Sequence, residues 1–291
     1  MNDKENNLKA LQFLEKGKFA ISQDLFKRNA ARYPSYITYN NLGRYFAEFG
    51  NERKDGRVVN ASKLAFRYLK KSLELKPNIL ANRNLAYFSY ELYLYKNESL
   101  NDAEMYQSEV LKYRYNYEDV YNYSVILYEL EQYDRGFNVL EKVACNLPES
   151  RLLYLLYLLK LGKLSQNTVN IYEKLISSLD LYEQQFFYYN CKDYARVVSI
   201  TESFLTSHFY IDDNSLALYI DSLLVLFGMS EIKRQKDKIC EKTAIDGKVF
   251  IEFVNNGYKR NSVIERYELK VIMQSICGFY GCHIHNTEWE I

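Results

Sequence analysis

Four side chains with metal-ligating chemistry fall within nine positions near the C-terminus: Cys277, Cys282, His283 and His285. A Cys-x4-Cys spacing can bring two thiolates to one zinc ion, and a His-x-His pair on an extended segment points both rings to one side. Against this, Cys282 and His283 are adjacent, so both reach one ion only through a special backbone path, and no second cluster completes a site. The expectation is that these four bind no metal, that the chain carries no cofactor, and that Phe279, Ile284 and Trp289 pack the tail onto the preceding helices. A metal protein or enzyme built on this cluster is the alternative that bound zinc would revive. Other catalytic arrangements are missing. The Gly-Lys pairs at Gly17, Gly162 and Gly247 lack the upstream Gly and following Ser or Thr of a phosphate loop. No G-x-S-x-G nucleophile elbow occurs. The carboxylates are spread along helical faces, so no catalytic residue can be named and the chain reads as a non-enzyme.

The elements that must position any site are helices. The only three prolines in 291 residues, Pro34, Pro77 and Pro148, each close an amphipathic segment, and Tyr115 holds the equivalent place in a weaker copy. The repeat is about 34 residues long, the period of stacked helix pairs with the pattern W-x2-L-G-x2-Y, A-x3-F, P. The second copy is clearest. It has Tyr39, Leu42, Gly43 and Phe46, then Ala65, Leu69, Ser72 and Pro77, with a charged insertion at Asn51 to Asn60 between the halves. The first keeps Phe13, Gly17, Phe19, Ser22, Phe26 and Pro34. The third has Leu85, Ala86, Leu100, Ala103 and Val110, with a short insertion near Lys96 to Ser99. The fourth has Tyr123, Ser124, Leu127, Tyr133, Gly136, Leu140, Val143 and Pro148.

On these residues the chain resembles the tetratricopeptide repeat family over its first half. The small residues at Gly43, Ala86, Ser124, Ala65 and Ala103 let two helices cross closely, and Phe26, Leu69 and Leu140 fill the space between neighbouring pairs. One pair cannot bury its apolar face, so at least three must stack. The expected fold is all-α, a right-handed α-solenoid of tetratricopeptide-like helix pairs with a C-terminal helical cap. Residues 1–150 form four repeats, residues 151–210 degenerate repeats, and residues 211–291 the cap and tail.

Beyond Ser150 the expected helices run over Arg151 to Leu161, about Asn167 to Leu179, Tyr182 to Asn190, Tyr194 to Ser207 and Ser215 to Phe227, with a break at Gly228. Others follow over about Glu231 to Lys242, Lys248 to Asn255 and Ser262 to Cys277. The last helices read as a terminal cap, because an open stack needs a more polar final surface.

Composition excludes several classes. The chain is 48% hydrophobic, sufficient for a sizeable core, and its net charge of +1 leaves no basic stripe for nucleic acid. The apolar run Leu152 to Leu161 is too short to span a bilayer and carries Lys160, so no membrane partner is expected. The polar stretch Met1 to Lys9 has no signal-peptide character, and five scattered cysteines suit a reducing cytoplasm. Most of the 29 tyrosines are expected to fill core and groove.

In the tetratricopeptide family the first helix of each pair lines a concave ligand surface. The resemblance implies that Asn41, Asn84 and Asn122, which hold one position in three successive repeats, form a ladder there with Arg44, Arg83, Tyr87 and Tyr121 beside it. Asn side chains can clamp a peptide amide through donor and acceptor together. Glu48, Glu91 and Glu129, about one turn along, would stripe the groove with charge. The clamp for acidic chaperone tails known in part of the family is not reproduced: Asn41 fits it, whereas Asn7, Leu11, Leu80 and Asn84 do not. The implied function is a non-catalytic scaffold or adaptor that binds a protein or extended peptide. A peptide-sensing bacterial regulator of the same architecture is the alternative.

Overall fold

The computed structural model describes residues 3–49, 61–96, 98–113, 115–142, 150–164, 169–207, 213–243, 247–248 and 250–251. Every regular element among them is helical. They fall into two compact units, one reaching Ile126 and the other starting at Leu127. The insertion at Asn51 to Asn60, the expected helix Ser262 to Cys277 and the Cys277–His285 cluster lie outside the described residues.

The first unit holds three helix pairs and the start of a fourth. The pairs are α1 (Asp3–Glu15) with α2 (Phe19–Arg32), α3 (Tyr36–Phe49) with α4 (Ala61–Leu75), and α5 (Ile79–Lys96) with α6 (Asn101–Tyr113). Helix α7 (Tyr117–Glu129) opens the fourth. Pro34 and Pro77 end α2 and α4 because proline cannot continue a helix. The residue after each then starts the next helix. The Ser35 hydroxyl accepts from the Thr38 amide at 3.2 Å, and the Asn78 side chain accepts from the Ala81 amide at 2.8 Å. At the third junction Tyr115 stands in the proline position, yet Asn116 still caps α7, accepting from the Asp119 amide at 2.8 Å. Each cap satisfies an amide that the first turn would leave without a partner.

The small positions do what their size requires. A Cβ added at Gly43 would lie 2.6 Å from Leu69 Cγ and 3.0 Å from the Leu69 backbone nitrogen, so α3 and α4 cross there without side-chain thickness. Ala65, Ala86 and Ala103 are fully buried at their own crossings. Phe26, Leu42, Tyr45 and Phe46 form a core cluster between the pairs, and Leu69, Leu85 and Tyr106 form another.

The second unit continues with α8 (Tyr133–Leu140), α9 (Ser150–Lys160), α10 (Glu173–Ile176), α11 (Leu181–Asn190), α12 (Tyr194–Ser207), α13 (Asp213–Arg234) and α14 (Lys236–Thr243). Where one helix over about Asn167 to Leu179 is expected, a 3-10 turn at Val169–Tyr172 precedes the single turn α10. Val169 and Ile171 are β-branched, and no side chain caps α10, so nothing local favours a longer helix. Helix α11 begins with a capping box that the repeat pattern does not include. Asp180 accepts from the Glu183 amide at 2.8 Å while Glu183 accepts from the Asp180 amide at 3.1 Å. Leu216, Tyr219, Ile220 and Leu223 of α13 join Ile232, Ile239 and Phe250 in the core of this unit.

Four of the helix pairs turn by one backbone device. The amide of the fifth residue on donates back to a helix carbonyl, and the residue before it takes a left-handed conformation. The long bonds are Lys18 to Phe13 (2.8 Å), Gln132 to Leu127 (2.9 Å), Lys163 to Leu158 (2.9 Å) and Asp193 to Tyr188 (3.0 Å). The left-handed residues are Gly17 and Gly162 at φ 66°, but also Glu131 at φ 58° and Lys192 at φ 60°. This is the Schellman closure of a helix C-terminus.

The expected break at Gly228 is present. Its φ of 77° and ψ of 166° interrupt α13, a backbone region that belongs essentially to glycine. The surface around it is not the polar face expected of a cap, since Val225, Leu226, Phe227 and Met229 are all exposed. The stretch Ser215–Arg234 is long and apolar enough to cross a membrane by length and composition. Its kink and its share of the core identify it instead as a broken core helix.

Candidate functional site

The expected groove residues sit on α3, α5 and α7 of the first unit and on equivalent turns of those helices. Asn41, Arg44, Arg83, Asn84, Tyr121 and Asn122 are buried, none more than 3% exposed, and Tyr87 is half-buried.

The best-defined part joins α5 to α7. Arg83 Nε donates to Asp119 Oδ1 at 2.8 Å, and its Nη2 pairs closely with Asp119 Oδ2. Both side chains are shielded from water. Gln107 of α6 donates to the Asp119 backbone carbonyl at 3.1 Å. A two-pronged guanidinium–carboxylate contact of this kind is directional and strong once desolvated. It also neutralises Arg83, so this position does not supply the free cation expected of the groove.

The second part joins α3 to α5. Asn84 Nδ2 donates to Asn40 Oδ1 at 2.8 Å, linking the asparagine ladder to the position beside Asn41. The Arg44 guanidinium stacks on the Tyr87 ring, 5.3 Å from its centroid, a cation–π contact that bridges the same two helices. Asn41, Tyr121 and Asn122 also have partners within the chain. The Asn84–Asn40, Arg44–Tyr87 and Arg83–Asp119 contacts thus make a largely buried polar layer that ties successive first helices together. Nearby, Tyr123 donates to Glu104 Oε1 at 2.7 Å, and Asn29 donates to Asn7 Oδ1 at 2.9 Å between α2 and α1.

Gln107 and Asp119 were not singled out by the repeat pattern, whereas Asn40 holds the groove position equivalent to Arg83 and Tyr121. The signal for Asp119 is its separation of 36 residues from Arg83, about one repeat, with the opposite charge. Charge complementarity at the repeat period marks the pair.

In the second unit a comparable layer joins α11, α12 and α13. Gln185 donates to Thr201 Oγ1 at 2.6 Å and to the Ser215 carbonyl at 2.9 Å, and Tyr189 donates to Asp221 Oδ2 at 2.6 Å. Burial pushes the Tyr219 hydroxyl well above the usual phenol range, and the Glu202 carboxylate it donates to pushes it further. Burial likewise raises Tyr157, packed edge-on against Tyr128 with centroids 5.2 Å apart. Neither phenol is poised to lose a proton near neutrality, so both act as packing groups. Among the described residues no three His, Cys, Asp or Glu side chains come together as a metal site.

Comparison with protein-family profiles and with curated proteins gives no match. Among solved structures, the chain is similar to a tetratricopeptide repeat protein from Parabacteroides merdae. The TM-score is 0.63 at 17% identity, with 92% of this chain and 98% of that chain covered. The fold is tetratricopeptide. Within a tetratricopeptide fold, α3, α5 and α7 are the first helices of consecutive pairs, and the layer Asn40–Asn84 and Arg83–Asp119 runs from one to the next. The likeness shows the fold alone, so any chemistry must be read from particular side chains.

Proposed function

We propose that this chain is a non-catalytic binding module, a scaffold or adaptor that holds a protein or an extended peptide segment along the first helices of its pairs. The observation that carries the reading is the polar layer aligned over α3, α5 and α7 in a tetratricopeptide fold. In this reading Asn41, Arg44, Arg83, Asn84, Tyr121 and Asn122 have two tasks. They hold the first helices in register, Arg83 through its closed pair with Asp119, and the others offer amide, phenol and guanidinium groups to a ligand that exchanges with their internal partners. Half-buried Tyr87 and Glu91 on α5 are the side chains through which the ligand first engages. Tyrosine suits that task because its large ring is stiff and carries a polar tip. The half-buried thiol of Cys191, outside any disulfide, supports placement in a reducing, cytoplasmic compartment.

The test is selection from a displayed library of random peptides on the immobilised chain. A consensus should enrich on the parent and be lost on Tyr87→Ala, with the helical circular dichroism unchanged. Failure of any consensus to enrich, or equal enrichment on Tyr87→Ala, would remove the reading.

A further inference from the structure

The segment around the break in α13 is the most concentrated exposed apolar surface among the described residues. Val225, Leu226, Phe227 and Met229 are 51%, 42%, 54% and 41% exposed. Scattered apolar residues on a surface need no explanation, but four large ones in five positions do. Their arrangement limits what can cover them. In a helix of 3.6 residues per turn, neighbouring side chains point about 100° apart. Val225, Leu226 and Phe227 therefore fan out over more than half of the helix circumference, and Gly228 then turns the chain so that Met229 follows on a new axis. A partner helix or sheet recognises a stripe at every third or fourth position and would touch only part of such a fan. A fluid medium surrounds all of it.

The charge next to the fan points the same way. From Met229 to Thr243 the chain carries Lys233, Arg234, Lys236, Lys238 and Lys242 against Glu231, Asp237 and Glu241. Exposed Lys233 lies one helical turn from Met229, on the same face. Arg234 forks onto Glu231, with bonds of 2.9 and 2.6 Å, which removes that acid from the balance together with one cation. Lys233 thus sets a positive charge beside the apolar tip, at the start of a stretch whose net charge is positive.

We propose that the tip Val225–Met229 is a peripheral docking site for an anionic lipid bilayer. The four apolar side chains enter the interfacial region, and Lys233 meets lipid phosphates or carboxylates. Apolar insertion and basic attraction are the two contributions that hold interfacial segments at membranes. The expectation of no membrane partner rested on the lack of a spanning run, and a tip that enters only the interface needs none.

Sedimentation with vesicles tests this. The whole chain should sediment with phosphatidylcholine vesicles containing phosphatidylserine, less with phosphatidylcholine alone, and less as salt rises. Phe227→Asp should weaken binding to the mixed vesicles by about tenfold or more, because it puts a charge where an apolar ring enters the bilayer interface. Lys233→Glu should weaken binding to mixed vesicles only. Both sites are exposed, so the folded fraction should match the parent by circular dichroism. A second measurement is the Phe227→Trp variant with Trp289→Phe, whose fluorescence should shift to the blue and be quenched by brominated lipid. Absence of parent binding to mixed vesicles, or binding unchanged by Phe227→Asp, overturns the proposal. So does concentration-dependent self-association lost in Phe227→Asp without vesicle binding, which would assign the tip to a protein contact.

Discussion

Arg83 and Asp119 form a buried two-pronged ion pair between α5 and α7, and Gln107 of α6 holds the backbone of the same aspartate. Three helices from two successive repeats therefore meet at one aspartate.

Removing one member should be costly. Arg83→Met leaves a buried carboxylate, and Asp119→Leu leaves a buried guanidinium. Each is expected to destabilise by about 3–5 kcal/mol, whereas the double variant should lose much less, because an apolar pair of similar volume can replace a buried ion pair. Urea unfolding of the two single variants and the double gives the coupling. Losses that simply add would show that the pair does not act as a unit.

Gly43 is confined by Leu69. Gly43→Ala should destabilise by about 1–3 kcal/mol, because its new Cβ would fall at 2.6 Å from Leu69 Cγ and near the Leu69 backbone. Trimming Leu69 to Ala in that background should cost less than in the parent, since part of the clash goes with it. Equal costs in both backgrounds would mean that α3 and α4 move apart instead.

Glu131 and Lys192 hold left-handed conformations with exposed side chains. A side chain in that region is strained by roughly 1–2 kcal/mol relative to glycine. Glu131→Gly and Lys192→Gly should each raise stability by about 0.5–1 kcal/mol after the larger chain entropy of glycine is included. A rise in the urea midpoint checks this, and a fall for both would rule out strain at these turns.

Burial pushes the Cys191 thiol up to about 12 from 9.0, with Asp193 adding to the rise and Arg196 opposing it. The native state therefore keeps its proton where the unfolded state loses it. The stability it contributes is fully present below pH 9.0 and declines as pH rises from there toward about 12. Because the thiolate is the nucleophile, Cys191 should be alkylated at mildly alkaline pH at least about tenfold more slowly in the folded chain than in urea. Mass spectrometry of the peptide containing Cys191 reads the rate, and equal rates would remove the argument.

The helical pairs were legible because their determinants are local and periodic. Proline ends a helix wherever it falls, and Gly43, Ala65 and Ala86 reveal crossings by size alone. The left-handed turns were half legible. Gly17 and Gly162 announce them, but Glu131 and Lys192 hide them, since the hydrogen bonds that force φ positive come from the backbone. The asparagine ladder was legible as a set of positions, not as a set of contacts. Sequence places Asn41, Asn84 and Asn122 at equivalent turns, yet whether an amide faces a ligand or the next helix depends on how closely the helices approach. That approach is set by Gly43 against Leu69 and by Asp119 reaching back to Arg83. The apolar tip at Gly228 escaped notice because a run such as Val225–Phe227 has the same composition inside a core and outside it.

The four Schellman turns give the chain a mechanical grain. Each turn is closed by bonds between residues no more than five apart, so the reversal between two helices is set within the pair, while the stacking that stabilises the pair comes from its neighbours. Pulled from its two ends, such a chain should yield in successive small steps, one hairpin at a time, and shorten again by the same steps when the load is released.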